Sequence, residues 1–214
     1  KEILEHALNY AEQHGYQIHR KILNAQDFGV PQRRKRIIIV GERKPADKLK
    51  FNYPPAGEKT ITVRDMLAHL PEPPLDGKDH PDIVHHRRDR LSALNIQRIR
   101  AVKEGQGMAH LPEHLLADCH KIGAAKIGHR YVYGRMHWDR VAPTITARFD
   151  SFTRGLFGHP EQDRSITLRE GALLQTFPQD FVFSGNKVDI ARQIGNAVPP
   201  KLAESIGRQL LKAL

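Results

Sequence analysis

Residues 24–41 read Asn24-Ala25-Gln26-Asp27-Phe28-Gly29-Val30-Pro31-Gln32-Arg33-Arg34-Lys35-Arg36-Ile37-Ile38-Ile39-Val40-Gly41. A Gly/Pro loop ends in four consecutive cations, which run straight into an apolar stretch. That stretch predicts a strand over 36–41 buried on both faces, as in the sheets of α/β proteins. On an extended backbone Arg34 and Arg36 point one way, and Arg33 and Lys35 the other. One pair can then enter a cleft while the other meets solvent. Cations beside a buried strand are costly unless something pairs with them. Guanidinium groups suit phosphate oxygens and base or sugar acceptors; a basic strand end serving only solubility is the alternative.

Working outward, Ile3, Leu4, Ala7, Leu8 and Ala11 predict a helix over 2–14, stopped by Gly15. Tyr16 to Leu23 reads as a strand. Prolines at 45, 54, 55, 71, 73, 74 and 81 make 44–84 mostly loop, interrupted by a short helix near 63–70. A helix is expected over 91–102, and short strands at 131–133 and 143–146. Thr167-Leu168-Arg169-Glu170 is a capping box, and Phe177-Pro178 ends the helix it opens. Gly195-Asn196 reads as a turn before Pro199-Pro200, which open a last helix carrying Leu202, Ile206, Leu210 and Leu214 on one face.

The chain has 214 residues, with 34 Lys+Arg against 24 Asp+Glu and a formal charge of +10. Residues 85–150 hold 12 basic and 6 acidic side chains, so most of the excess sits in the middle third. A polyanionic partner, most simply nucleic acid, fits that balance. A mean hydropathy of -0.54 and the lack of an 18-residue apolar run exclude a transmembrane helix. The one cysteine, Cys119, rules out an internal disulfide and fits a reducing cytosol. His80, His85, His86 and His120 form no zinc spacing, so no metal site is expected.

Three stretches carry a resemblance in a fixed order: Gly29-Val30-Pro31-Gln32-x-Arg34-x-Arg36, then Arg164-x-Ile166-Thr167-x-Arg169-Glu170-x-Ala172-x-Leu174-Gln175-x-Phe177-Pro178, then Gly195-Asn196-Ala197-Val198-Pro199-Pro200. Together they resemble the last three motifs of DNA cytosine-5 methyltransferases. The resemblance covers almost the whole chain and implies the C-terminal part of a class I, Rossmann-like α/β methyltransferase sheet with a small irregular α+β target-recognition domain. The implied division is 1–44 for the helix and edge strands of the catalytic domain, 45–158 for target recognition, 159–192 for a closing motif helix and 193–214 for the returning terminal helix. The family flips a cytosine out of double-stranded DNA and methylates C5 from S-adenosylmethionine.

By the same resemblance, Gln32, Arg34 and Arg36 belong to the active site. Arg34 is expected to hold backbone phosphate and Arg36 to contact the flipped cytosine. Thr144-Ile145 would lie against DNA, and Asn196 and Ala197 would close the S-adenosylmethionine pocket. Arg135, Arg140 and Arg148 are grouped as DNA contacts; each could read guanine, touch phosphate or pair with a carboxylate such as Asp139. The family's Pro-Cys nucleophile, glycine loop and Glu-Asn-Val element are missing, and Cys119 follows Asp118, so it reads as a bystander. The expectation is a fragment or split subunit, inactive alone, that needs an N-terminal half or self-associates through an exposed sheet edge. A prokaryotic, cytoplasmic, nucleoid-associated restriction-modification setting is implied. The alternative is a stand-alone DNA-binding module.

Overall fold

A computed structural model describes residues 2–43, 50–118 and 131–214. Cys119, the chain segment around it and the proposed boundary at Pro45 lie outside the described residues. Helix α1 (Glu2–Gln13) forms where the apolar spacing predicts it, but none of its residues is buried. Gly15 carries the chain into β1 (Tyr16–Asn24), which pairs antiparallel with β2 (Lys35–Arg43) in register from Tyr16 opposite Arg43 to Asn24 opposite Lys35. Between the strands, Ala25–Phe28 forms a tight 3-10 turn.

Burial of Ile37–Val40 on both faces does not hold. Strand β2 alternates between exposed and half-buried positions, with Ile37 45% and Ile39 37% exposed. The apolar run is unbroken because one face covers a small core while the other, equally apolar face is bare. That core contains Leu23, Ala25, Phe28, Val30 and Leu202, with Ile38, Tyr53 and Ile206 packed on it. It ties the hairpin to the last helix, α6 (Pro200–Ala213).

The larger core lies further along the chain. Helix α2 (Val63–Leu67) places Val63 and Leu67 against Met136, Trp138, Ile145, Phe149 and Phe157. Helix α3 (Ala93–Ala101), capped by Ser92, flanks a satellite cluster of Val102, Leu111 and Leu115. Helix α4 (Leu168–Leu174) is buried along its whole length. Helix α5 (Lys187–Asn196) adds Ile190, Ala191 and Ile194 to the same core.

The capping box at Thr167 forms as expected. Thr167 N donates to Glu170 Oε2 at 2.7 Å, and Glu170 N donates to Thr167 Oγ1 at 3.1 Å. Arg164 grips the same carboxylate with both terminal nitrogens, at 2.6 and 2.7 Å. The helix stops at Leu174, before Phe177-Pro178, because Thr176 turns into the left-handed region at φ 66°.

Two expectations fail in this lobe. Residues 131–133 and 143–146 are not strands; among the described residues the segment makes only isolated bridges, such as Gln32 with Ala142. At Ile145 the side chains of Gln32 and Arg34 take the backbone groups a neighbouring strand would have taken, and Val132 O accepts from Met108 N at 2.8 Å. Gly195-Asn196 is not a turn but the end of α5. A Cβ on Gly195 would sit 2.2 Å from the Thr146 carbonyl carbon and 2.3 Å from Ala147 N, so the glycine serves close backbone approach. No described helix is long and apolar enough to cross a membrane.

Candidate nucleic-acid interface

Pro31 to Arg33 runs beside Ala142 to Thr144 as a short ribbon. Ala142 N donates to Pro31 O at 2.8 Å, Arg33 N to Ala142 O at 3.0 Å, and Thr144 Oγ1 to Arg33 O at 2.6 Å. Under the ribbon Gln32 is fully buried. Its Oε1 accepts from Ile145 N at 2.8 Å, while its Nε2 donates to Leu174 O at 3.2 Å and Gln175 Oε1 at 3.0 Å. Gln175 continues the chain by donating to Ile194 O at 2.6 Å. Arg34 closes it. Its Nη1 donates to Ile145 O at 2.7 Å, and its Nη2 to Gly195 O at 2.7 Å and Ala197 O at 3.0 Å. All three quoted motifs therefore meet in one buried polar network.

The cost of this arrangement is visible in Arg34. Burial, followed by repulsion from Arg36, lowers its pKa to about 10, which leaves it charged at neutral pH. No carboxylate bonds to it; three carbonyl dipoles from two separate segments, at 145 and at 195–197, hold the cation.

Above the network a cleft of about 510 Å³ opens beside the ribbon. Arg33, Arg140 and Arg154 line it together with Thr144, Thr146 and His137, and no carboxylate does. Among the described residues none of those three arginine side chains is hydrogen-bonded within the protein. They are therefore available to an anion. Tyr131 stands at the cleft, 71% exposed.

The structure sorts the sequence-derived residues into two groups. The alternation along 33–36 holds: Arg34 is buried and Arg36 half-buried, while Arg33 and Lys35 are exposed. What lies on the Arg34 side is protein interior, however. Arg34 cannot present its guanidinium to a phosphate here, because carbonyls already surround it. Ile145 is fully buried, so only its neighbours Thr144 and Thr146 reach the cleft. Arg135 is 5% exposed and donates to the carbonyls of Ile99, Val102, His159 and Gln162 as well as pairing with Asp163.

Arg140 faces the cleft as expected, whereas Arg148 lines a separate recess beside Asp150. Arg36 donates to Lys35 O at 2.8 Å and stays outside the network. Asn196 is exposed, and Ala197 is half-buried with its carbonyl on Arg34. Asp139 pairs with Arg64 at 2.6 Å, not with the arginines grouped near it in sequence.

Residue-type reasoning did not assign roles to Arg33, Arg154 or Gln175. Parity along the strand already placed Arg33 opposite Arg34; for Gln175, an amide inside an otherwise apolar buried helix end was the available signal. Ligand atoms of Glu104, His137 and Asp139 lie within 4.8 Å of one another. Asp139 is held by Arg64 and Glu104 faces His137 Nδ1 at 3.1 Å, so each is already engaged.

Comparison with known proteins places the chain in a family. The chain is 38% identical over its full length to the type II methylase M.HgiDII of Herpetosiphon aurantiacus, covering 60% of that protein. It is 37% identical to the type II methyltransferase M1.HphI of Haemophilus parahaemolyticus, over 94% of the chain and 50% of the relative. The chain thus spans about half to three-fifths of the length of these relatives. A prophage-encoded DNA modification methyltransferase from E. coli superposes on all of the chain with a TM-score of 0.67 at 22% identity, covering 65% of that structure. The family of C-5 cytosine-specific DNA methylases matches residues 1–212. With its motifs joined by one buried network and its whole length matched, the chain belongs to the C-5 cytosine-specific DNA methylase family.

Proposed function

We propose that this chain is the DNA-recognizing, C-terminal portion of a DNA (cytosine-5-)-methyltransferase that methylates a flipped cytosine within a specific site in double-stranded DNA. The observation that supports it most is the acid-free cleft of Arg33, Arg140 and Arg154 beside the network of Gln32, Arg34 and Gln175. Cations on an open wall attract the phosphate backbone, and polar groups beside them can meet base edges. Arg33, Arg140 and Arg154 hold phosphate or base, with Thr144 beside them, while Arg36 lies two residues beyond Arg34 to meet the extruded base. Gln32 and Arg34 act as positioning residues, fixing the ribbon that carries Arg33 and Thr144. Arg148 belongs to the DNA-facing group through its own recess.

S-adenosylmethionine supplies the methyl group when bound. Asn196 and Ala197 fit one wall of its site: the Asn196 amide is exposed and unbonded among the described residues, and Val198 beside it is 45% exposed. The remaining walls, the nucleophilic cysteine and the glycine loop belong to an N-terminal half, in the same parent chain or a separate subunit. On this reading 1–44 and 193–214 join the Rossmann-like catalytic domain, with 45–158 as the target-recognition domain and 159–192 closing it. The hairpin, with Ile22, Ile37 and Ile39 bare, and α6, with Leu211 73% exposed, form the surface that takes this half.

The test is to mix the chain with an N-terminal half bearing the Pro-Cys pair and glycine loop, then assay methyl transfer to DNA. Activity is expected only in the mixture. DNA binding without activity in any combination would favour a stand-alone binding module.

A further inference from the structure

A second recess, of about 230 Å³, shares no lining residue with the arginine cleft. Ser165 lines it, and this side chain is 2% exposed with an Oγ that makes no hydrogen bond within the protein. A buried hydroxyl without a partner costs free energy unless a ligand satisfies it. Ser92 and Asn95 bring the N-terminal end of α3, a helix of nine residues, to the same recess, where the helix dipole favours an anion.

The charges point the same way. Arg90, Arg148 and Lys187 line the recess against Asp89 and Asp150. Lys187 bridges both carboxylates, and Arg148 lies 3.4 Å from Asp150, so the acidic groups are already neutralised. With its ammonium between the two carboxylates, Lys187 occupies the position a metal cation would need. Arg90 has no ion-pair partner among the described residues. The recess is thus left with an unspent cation, a helix N-terminus and a buried hydroxyl donor, the groups that hold a phosphate.

We infer that this recess is a phosphodiester subsite, through which the lobe grips a DNA backbone phosphate at a second place, apart from the Arg33–Arg140–Arg154 cleft. The inference rests on the DNA-binding reading above. It makes Arg148 a phosphate contact with no share in base readout.

Amide NMR of the full chain, titrated with inorganic phosphate and separately with a short DNA duplex, tests it. Both probes are expected to shift the Ser92, Asn95 and Ser165 signals. Ser165→Ala and Arg90→Ala are expected to abolish those shifts while the Thr144 and Thr146 signals still respond to duplex. Arg90→Ala should also lower the slope of log affinity against log salt by about one. Duplex that moves Thr144 and Thr146 but never the recess overturns the subsite and leaves the DNA reading standing. A recess that answers phosphate but not a bound duplex is a free-anion site, which also overturns the inference. Silence of both regions toward duplex overturns the DNA reading together with it.

Discussion

Arg34 shows how one side chain can hold distant parts of a chain together. Its guanidinium joins the end of β2 to residues 145, 195 and 197. Substituting alanine leaves buried carbonyls without donors, so Arg34→Ala should cost at least about 3 kcal/mol in urea unfolding. Arg34→Lys keeps the charge but not the fork, and should recover only part of that loss. His159 predicts a pH effect. Burial, opposed in part by Glu170, lowers its pKa to about 4, so it folds neutral and takes up a proton on unfolding below about 6.5. Stability contributed by neutral His159 is complete above that value and falls by about 3 kcal/mol as pH drops to about 4. Thermal melts from pH 7 to 4 should show the loss, and His159→Gln should flatten it.

At the scale of elements, α4 is anchored from its first turn. Burial alone would raise the Glu170 pKa, but the Arg164 guanidinium and the Thr167 N–H hold it at about 2. Its contribution is therefore present above about 4.5 and lost toward pH 2, mostly below the window of His159. Glu170→Gln strands Arg164 in the interior and should cost about 3–5 kcal/mol, whereas adding Arg164→Met should return part of that in a double-mutant cycle. The capping box was legible in sequence because all its partners lie within four residues. So were α1, α3, both strands and the terminal helix, each marked by periodicity or a cap. Burial of Arg34, Arg135 and Ile145 was not legible, because nearly all their partners lie 24 or more positions away and include many backbone carbonyls, which carry no sequence signature. The failed strand at 143–146 has the same cause: Gln32 and Arg34 supply to Ile145 from a distance what a neighbouring strand would have supplied.

At the scale of the whole molecule, the two cores differ in what covers them. The lobe core is closed, with α4 buried throughout, while Ile3, Ile22, Ile37 and Leu211 leave the hairpin side apolar and bare. If the proposed function holds, this side binds the N-terminal half, and hydrogen exchange should slow in β2 and α6 on mixing but little in α4. Leu211→Asp should weaken that association at least about tenfold, since about 1.5–3 kcal/mol of apolar burial is lost; sedimentation of the mixture reads it. Unchanged association would place the interface elsewhere.

The Gln32–Gln175 and Arg34–Gly195 bonds join positions 143 and 161 residues apart. Closing loops of that length exacts its entropy before the bonds reward it. The local turns around Thr167 can form early, while the ribbon at 31–33 must wait for a lobe to dock on. During synthesis the ribbon at 31–33 therefore emerges well before its partners, and the network beneath the arginine cleft closes only once residues 145, 175 and 195–197 have followed.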